Sequence, residues 1–328
     1  MSFAVRIHET GGPDVLCYEE VPVSDPGEGE VLLAQHAAGL NFIDTYHRSG
    51  YYPVVDLPVA LGVEAAGVVV KVGAGVRRFR EGDRVAYTAS APGAYAQHRV
   101  VNADVLVALP DEIGFDQAAA MMLKGMTARY LLRQTYPVQA GETILVHAAA
   151  GGVGLILTQW AHYLGATVIG TVGSPEKAEL ARRNGCDFPL LYREDDIAAR
   201  VREITSGEMV PVVYDSVGAS TFETSLQCLR PRGLMVTFGQ SSGPVSAFDP
   251  VLLSRNGSLF MTRPTLFHYI ASPEELAQNS RELFSVVMDG HVSIPVRQKF
   301  DLSDAASAHR ALESRQTTGS TVLLTHVS

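Results

Sequence analysis

The chain has 328 residues, 46% of them hydrophobic and 19% charged, with a formal net charge of −9. That is enough apolar material for two moderate cores, so two domains are expected, and the acidic balance offers no electrostatic footprint for nucleic acid or an anionic membrane. No apolar stretch approaches the length of a membrane span, and Met1 to Arg6 form no basic cap ahead of an apolar core, so neither a transmembrane helix nor a signal peptide is expected. Up to about residue 124 the chain reads as short β runs between turns, such as Val68 to Val72 before Gly73-Ala74-Gly75 and Arg84 to Tyr87 after Glu81-Gly82-Asp83. Strands alternating with amphipathic helices follow, with strands placed at Thr143 to His147, Thr167 to Val172, Phe188 to Tyr192, Val210 to Asp215, Leu234 to Phe238 and Leu259 to Thr262. Such alternation predicts βα units around a doubly wound parallel sheet. After about residue 267 come a helix from Pro273 to Met288, a strand from Val296 to Phe300, a helix from Ser303 to Ser314 and a strand from Ser320 to Thr325. These are closer in character to the amino-terminal part, so the middle domain is predicted to be inserted between two pieces of the first.

The segment Thr143-Ile-Leu-Val-His-Ala-Ala-Ala-Gly-Gly-Val-Gly154 leads into the apolar helical pattern Leu155, Ile156, Gln159, Trp160 and Leu164. Strand, glycine turn and helix in this order match the dinucleotide fingerprint, with Ala149, Gly151 and Gly154 at its three small positions. N–H groups at the start of that helix then face a pyrophosphate. The next strand ends Ile169-Gly-Thr-Val-Gly-Ser174 without the acid that binds a ribose 2′-hydroxyl, and Lys177 lies one turn beyond. NADPH is therefore expected over NADH, with Tyr192 and Arg193 near the same phosphate edge. Lys177 reads equally well as an ordinary solvated lysine beside Glu176 and Glu179. Cys17, Cys186 and Cys228 lie far apart without a CxxC pair, which fits a reducing cytoplasm and no disulfide framework. The ten histidines show no HxxxH or triad context.

Four segments, Gly39-Leu-Asn-Phe-Ile-Asp-Thr-Tyr46, Gly62-Val-Glu-Ala-Ala-Gly67, Ala148 to Gly154 and Tyr214-Asp-Ser-Val-Gly218, together resemble the zinc-free quinone oxidoreductases related to zeta-crystallin, in the medium-chain dehydrogenase/reductase superfamily. The resemblance runs from the first strand to the carboxyl terminus. Zinc alcohol dehydrogenases carry a Cys where this chain has Asn41 and Gly-His-Glu where it has Gly62-Val63-Glu64, and their four-cysteine lobe has no counterpart between Cys17 and Cys186. A tetrahedral zinc site needs clustered ligands, so no metal is expected. One departure is His162, where the pattern usually has a basic residue.

The resemblance implies an α/β fold, a Rossmann domain at 125–267 inserted in a GroES-like, mainly-β catalytic domain at 1–124 and 268–328, and a homodimer joined through the Rossmann domain. It implies cofactor contacts at Asn41, Thr127, Gly152, Val153, Gly173, Lys177, Tyr192, Phe238, Gly239 and Ser241, and the candidate set also takes in Ala150, Gly151, Ser174, Ser216 and Phe267. A quinone is already a good electrophile, so the site must position the nicotinamide, exclude water and offer a hydrogen bond to the developing oxyanion. Asn41, Tyr46, Tyr52 and Arg263 are the catalytic candidates, with Tyr46 or Tyr52 as hydrogen-bond or proton donor and Asn41 positioning cofactor and acceptor. Tyr51 and Tyr52 also read as loop packing before Pro53, Asp44 as a cap, and Arg263 as a partner for a carboxylate. Reduction of α,β-unsaturated aldehydes or ketones is the alternative activity; a non-catalytic, crystallin-like or RNA-binding NADPH-binding protein is the alternative of another class.

Overall fold

The computed structural model describes residues 2–54 and 56–327. The chain divides into two compact units, one comprising the residues up to Met126 with Ile270–Met288 and those from Ile294 onward, the other Thr127–Tyr269 with Asp289–Ser293.

Among the described residues, the first unit carries two sheets. In the smaller, Ser2–Ile7 pairs antiparallel with both Leu16–Val21 and Val59–Ala60. The larger runs in the order Val296–Asp301, Ser320–Leu324, Glu30–Leu40, Glu64–Val72, Arg84–Thr88 and Leu106–Ala108, and His98–Asn102 also pairs with Glu30–Leu40. Glu30–Leu40 alternates half-buried and buried residues along its first half and is wholly buried at its end, as a strand with one core-facing side requires. The carboxyl-terminal strand Ser320–Leu324 pairs with its buried end, Thr321 opposite Leu40, so the chain returns after the inserted unit to complete the first sheet. The core beneath it gathers Leu33, Leu40, Leu61, Tyr87, Tyr95 and Leu323.

The second unit is built on six parallel strands in the chain order third, second, first, fourth, fifth, sixth: Phe188–Leu191, Thr167–Val172, Thr143–Val146, Val210–Asp215, Leu229–Thr237 and Phe260–Thr262. This is the doubly wound order, in which the strand order reverses beside the first strand, where ligands bind in such sheets. Val210–Asp215 is buried at every residue, as a central parallel strand must be. The fifth strand starts earlier than the Leu234 expected from sequence. Arg232 takes φ 63° within it and the pairing with Val210–Asp215 jumps register there, so Pro231 and Gly233 read as turn residues although the chain stays paired on both sides. No helix among the described residues is long and apolar enough to cross a membrane.

Candidate active site

In the second unit the glycine turn follows the first strand directly. Gly151 is the N-cap of helix Gly152–Tyr163 and has an ordinary φ of −80°. A Cβ added to Gly151 would meet only Ala148 within 4 Å, its carbonyl oxygen at 3.1 Å, so apart from that one contact the backbone is open for a ligand to approach. Gly154 differs. Its Cβ would collide with the Ala148 carbonyl, so helix and turn can touch only through a glycine. At the end of the next strand, Ser174 caps helix Pro175–Arg183 by accepting the Lys177 N–H at 3.4 Å. The Ser174 hydroxyl also holds the exposed Glu176 carboxyl below its ordinary range. Glu179 is engaged by Arg182 and Arg183. Tyr192 lies over Gly173, its hydroxyl 2.7 Å from where a Cβ would stand, with the Arg193 guanidinium 5.9 Å from its ring.

The segment after the fourth strand closes on the one after the fifth. The Ser241 N–H donates to the Ser216 carbonyl at 3.2 Å, and Gly239 packs so closely on Ser216 that a Cβ would lie 2.6 Å from the same oxygen. Phe238, just past the fifth strand, donates its N–H to Asp215 O at 2.8 Å. Arg263 meets no carboxylate among the described residues. Its guanidinium donates to the Thr237 carbonyl at 3.1 Å, the Gly239 carbonyl at 2.8 Å and Gln240 Oε1 at 3.1 Å, which ties it to the loop that carries Phe238, Gly239 and Ser241. Phe267 is half-buried in the short turn Leu266–His268, and Thr127 is buried on helix Met122–Tyr130.

Three of the four catalytic candidates share one short stretch of the first unit. Asn41 is the buried N-cap of helix Phe42–Arg48. Its backbone N–H donates to Asp44 Oδ2 at 2.8 Å and its side-chain Nδ2 to Glu64 Oε1 at 2.8 Å. A carboxylate can only accept, so the amide orientation is fixed and Oδ1 points away from Glu64. Glu64 is fully buried and also accepts from Lys124 Nζ at 2.9 Å and the Leu123 N–H at 2.7 Å. Tyr46 and Tyr52 meet edge to face with ring centroids 5.2 Å apart, and Tyr52 donates its N–H to the Tyr46 carbonyl at 3.0 Å. Tyr51, half exposed, meets Tyr46 edge to face and Tyr52 obliquely. The helix is anchored on its opposite side, where Tyr95 donates to Asp44 Oδ2 at 3.0 Å and Arg48 donates to His309 Nδ1 at 3.0 Å and to Glu313.

Comparison with known proteins decides the lineage. Residues 27–111 match the model of the alcohol dehydrogenase GroES-like domain and residues 152–284 that of zinc-binding dehydrogenase. The chain is 53% identical over 324 residues to a quinone oxidoreductase of Pseudomonas aeruginosa, covering 99% of this chain and 100% of that protein. The chain belongs to the quinone oxidoreductases of the medium-chain dehydrogenase/reductase superfamily. A solved Escherichia coli quinone oxidoreductase complexed with NADPH superposes on it with a TM-score of 0.97 at 51% identity, covering 98% of this chain and 99% of that one. A 2-haloacrylate reductase of Burkholderia is 47% identical, covering 99% of each chain.

Within this family, several site-building residues of the chain were missed by reading the sequence. Glu64 and Lys124 form a buried pair beside Asn41, Tyr95 holds Asp44, and Arg48 of the same helix is tied to His309 and Glu313; the partners in these bonds lie 23 to 265 positions apart in the chain, and no local spacing announces them. Asp44 was legible as a cap, because an acid three residues after Asn41 is the capping-box pattern. The donor chemistry around the cysteines also differs from that of a zinc site. Burial pushes the Cys186 and Cys228 thiols up to about 12, so they stay protonated, whereas zinc takes thiolates. No group of three or more His, Cys, Asp and Glu side chains is gathered for a metal among the described residues.

Proposed function

We propose that this chain is an NADPH-dependent quinone reductase working without a metal at the reacting centre. The observation that carries the cofactor assignment is the turn at 148–154: an open Gly151 at a helix N-terminus, next to a second strand end with Gly173 under Tyr192 and no acid from Ile169 to Ser174. These features fit a dinucleotide with a 2′-phosphate. Ala150, Gly151, Gly152 and Val153 would hold the pyrophosphate, Ser174, Lys177 and Tyr192 the 2′-phosphate edge, and Ser216, Phe238, Gly239, Ser241, Thr127 and Phe267 the remainder. When bound, NADPH supplies the hydride.

The chain's own part is to orient and to donate. Asn41, with its amide turned by Glu64, presents Oδ1 as a fixed acceptor for a carboxamide N–H, and the Tyr46 or Tyr52 hydroxyl donates to the acceptor oxygen as charge develops on it. Arg263 supports the loop at Gly239 rather than touching a carboxylate. The catalytic domain is assigned to 1–124 with 268–328, the NADPH domain to 125–267, and the enzyme to the cytoplasm as a homodimer without a nucleic-acid partner. Reduction of activated alkenes is the second reading, favoured by the 2-haloacrylate reductase relative.

The test is steady-state NADPH oxidation across a panel of quinones and enones, with and without chelator, for the wild type and Lys177→Ala. Quinone turnover that ignores the chelator is expected. Loss of the Lys177 charge should weaken NADPH by roughly ten- to a hundredfold, about 1.5–3 kcal/mol, and leave NADH nearly unchanged. Equal use of both cofactors by the wild type would overturn the cofactor reading, and tight NADPH binding with no turnover on any acceptor would favour a binding protein.

A further inference from the structure

Beneath the glycine turn lies a continuous buried chain of polar side chains whose donors and acceptors can be assigned one at a time. His147, 2% exposed, follows strand Thr143–Val146. Its Nδ1 is 2.8 Å from Thr171 Oγ1 and its Nε2 is 3.0 Å from Ser225 Oγ. Ser225 gives its only proton to Asp215 Oδ2 at 2.9 Å, because a carboxylate can only accept. The Ser225 oxygen therefore accepts from His147, so Nε2 carries the ring proton and Nδ1 accepts from the Thr171 hydroxyl. Asp215 is closed off by the Thr221 hydroxyl at 2.7 Å on Oδ2 and by the N–H groups of Val217 and Gly218 at 2.7 and 3.0 Å on Oδ1. Burial lowers the His147 pKa against the pull of Asp215, which keeps the ring neutral and this single tautomer in place.

The chain of bonds joins the ends of three neighbouring strands. His147 stands directly before the 148–154 turn, Thr171 two residues before Gly173, and Asp215 directly before Ser216. Ala148, next to His147, takes φ 54°, a region unfavourable for a residue with a Cβ. Such a conformation persists where its surroundings over-determine it, and here they do: the His147 N–H donates to Tyr214 O at 2.9 Å, Ala149 N–H donates to Thr171 O at 3.1 Å, and Gly151 N–H donates to Ala148 O at 2.9 Å. We propose that His147 is a positioning residue for NADPH: clamped between Thr171 and Ser225, it holds the three strand-end segments in register so that their cofactor-facing backbone is set before the cofactor arrives. The inference rests on the assignment of the 148–154 turn to NADPH.

The experiment compares full-length wild type with His147→Phe, His147→Gln, Thr171→Val and, as a control on the site, Gly151→Val, measuring NADPH affinity by fluorescence titration, KM for NADPH and for quinone, kcat and melting temperature. His147→Phe should raise Kd and KM for NADPH by roughly tenfold while kcat at saturating NADPH and KM for quinone stay within about twofold. His147→Gln, which keeps a donor for Ser225, should recover most of that loss. Thr171→Val keeps the volume and removes one donor, so it should raise KM for NADPH several-fold and decides the matter if His147→Phe fails to fold. A lowered melting temperature with unchanged NADPH affinity in His147→Phe, or an unchanged KM for NADPH in Thr171→Val, overturns the proposal. If Gly151→Val binds NADPH like the wild type, the site assignment falls and the proposal with it; if Gly151→Val loses NADPH while the His147 and Thr171 variants keep it, only the positioning role is wrong.

Discussion

Burial drives the Asp44 carboxyl up from 3.8 to about 7, the Glu64 charge adding to the rise while the Asn41 N–H, the Tyr95 hydroxyl and Lys124 oppose it. Its Oδ2 takes both hydrogen bonds, and Oδ1, also buried, meets no donor among the described residues. With the native value above the unfolded one, the folded chain binds the extra proton across the window from 3.8 to about 7, and stability falls as pH rises through it. Between about pH 5 and pH 8 this amounts to roughly 2–3 kcal/mol. His309 works in the opposite sense: burial, then the Arg48 charge, push it down to about 3, so its share of stability is lost as pH falls below the ordinary histidine value. The wild-type profile mixes the two, and the informative quantity is its difference from Asp44→Asn. Denaturant unfolding should show the variant gaining roughly 2–3 kcal/mol on the wild type between about pH 5 and pH 8. A gap that does not change with pH would mean that Asp44 titrates outside this window.

At the scale of the element, the two glycines of the turn do different work, and substitutions should separate them. Gly151 has an ordinary φ and open space beyond Ala148, so Gly151→Val should fold normally, with native circular dichroism, and lose NADPH binding by roughly a hundredfold or more, because a stiff β-branched side chain occupies the pyrophosphate's approach. Gly154→Ala puts a methyl into the Ala148 carbonyl and should cost about 1–3 kcal/mol of stability by overpacking. Similar melting temperatures for the two variants would undo this division. The strand, turn and helix of this element were legible because hydrophobic period and glycine placement are local signals. The same is true of the inserted arrangement, since the pattern changes near residue 124 and again near 267, and Ser320–Leu324 pairs back onto Glu30–Leu40. What sequence could not show is how polar residues meet across the fold. Nothing in the sequence set His147 apart from the other histidines, yet its bond to Ser225 spans 78 positions and Arg48 reaches Glu313 across 265. Arg263 was open to pairing with a carboxylate, and only tertiary structure shows it spent on backbone carbonyls.

For the whole molecule, the six-stranded sheet ends in a short strand, Phe260–Thr262, whose outer side pairs with no strand among the described residues. Phe260 is 62% exposed there. A bare strand edge with an exposed aromatic is a template for another chain, and monomeric proteins usually blunt such edges with charge, proline or a bulge. None of Phe260, Met261 and Thr262 is charged, so the edge suits the proposed homodimer, in which two copies meet through their Rossmann sheets as an isologous pair. Sedimentation should give a wild-type particle of twice the 35.2 kDa chain mass. Phe260→Asp places like charges across the two-fold contact, where they repel and lose hydration, and should shift the particle toward the monomer mass. NADPH affinity should stay within about twofold, since the edge strand lies three positions from Thr143–Val146 in the sheet order. A wild-type monomer at micromolar concentration would remove the dimer from the proposed function, and a dimer untouched by Phe260→Asp would move the interface to another face.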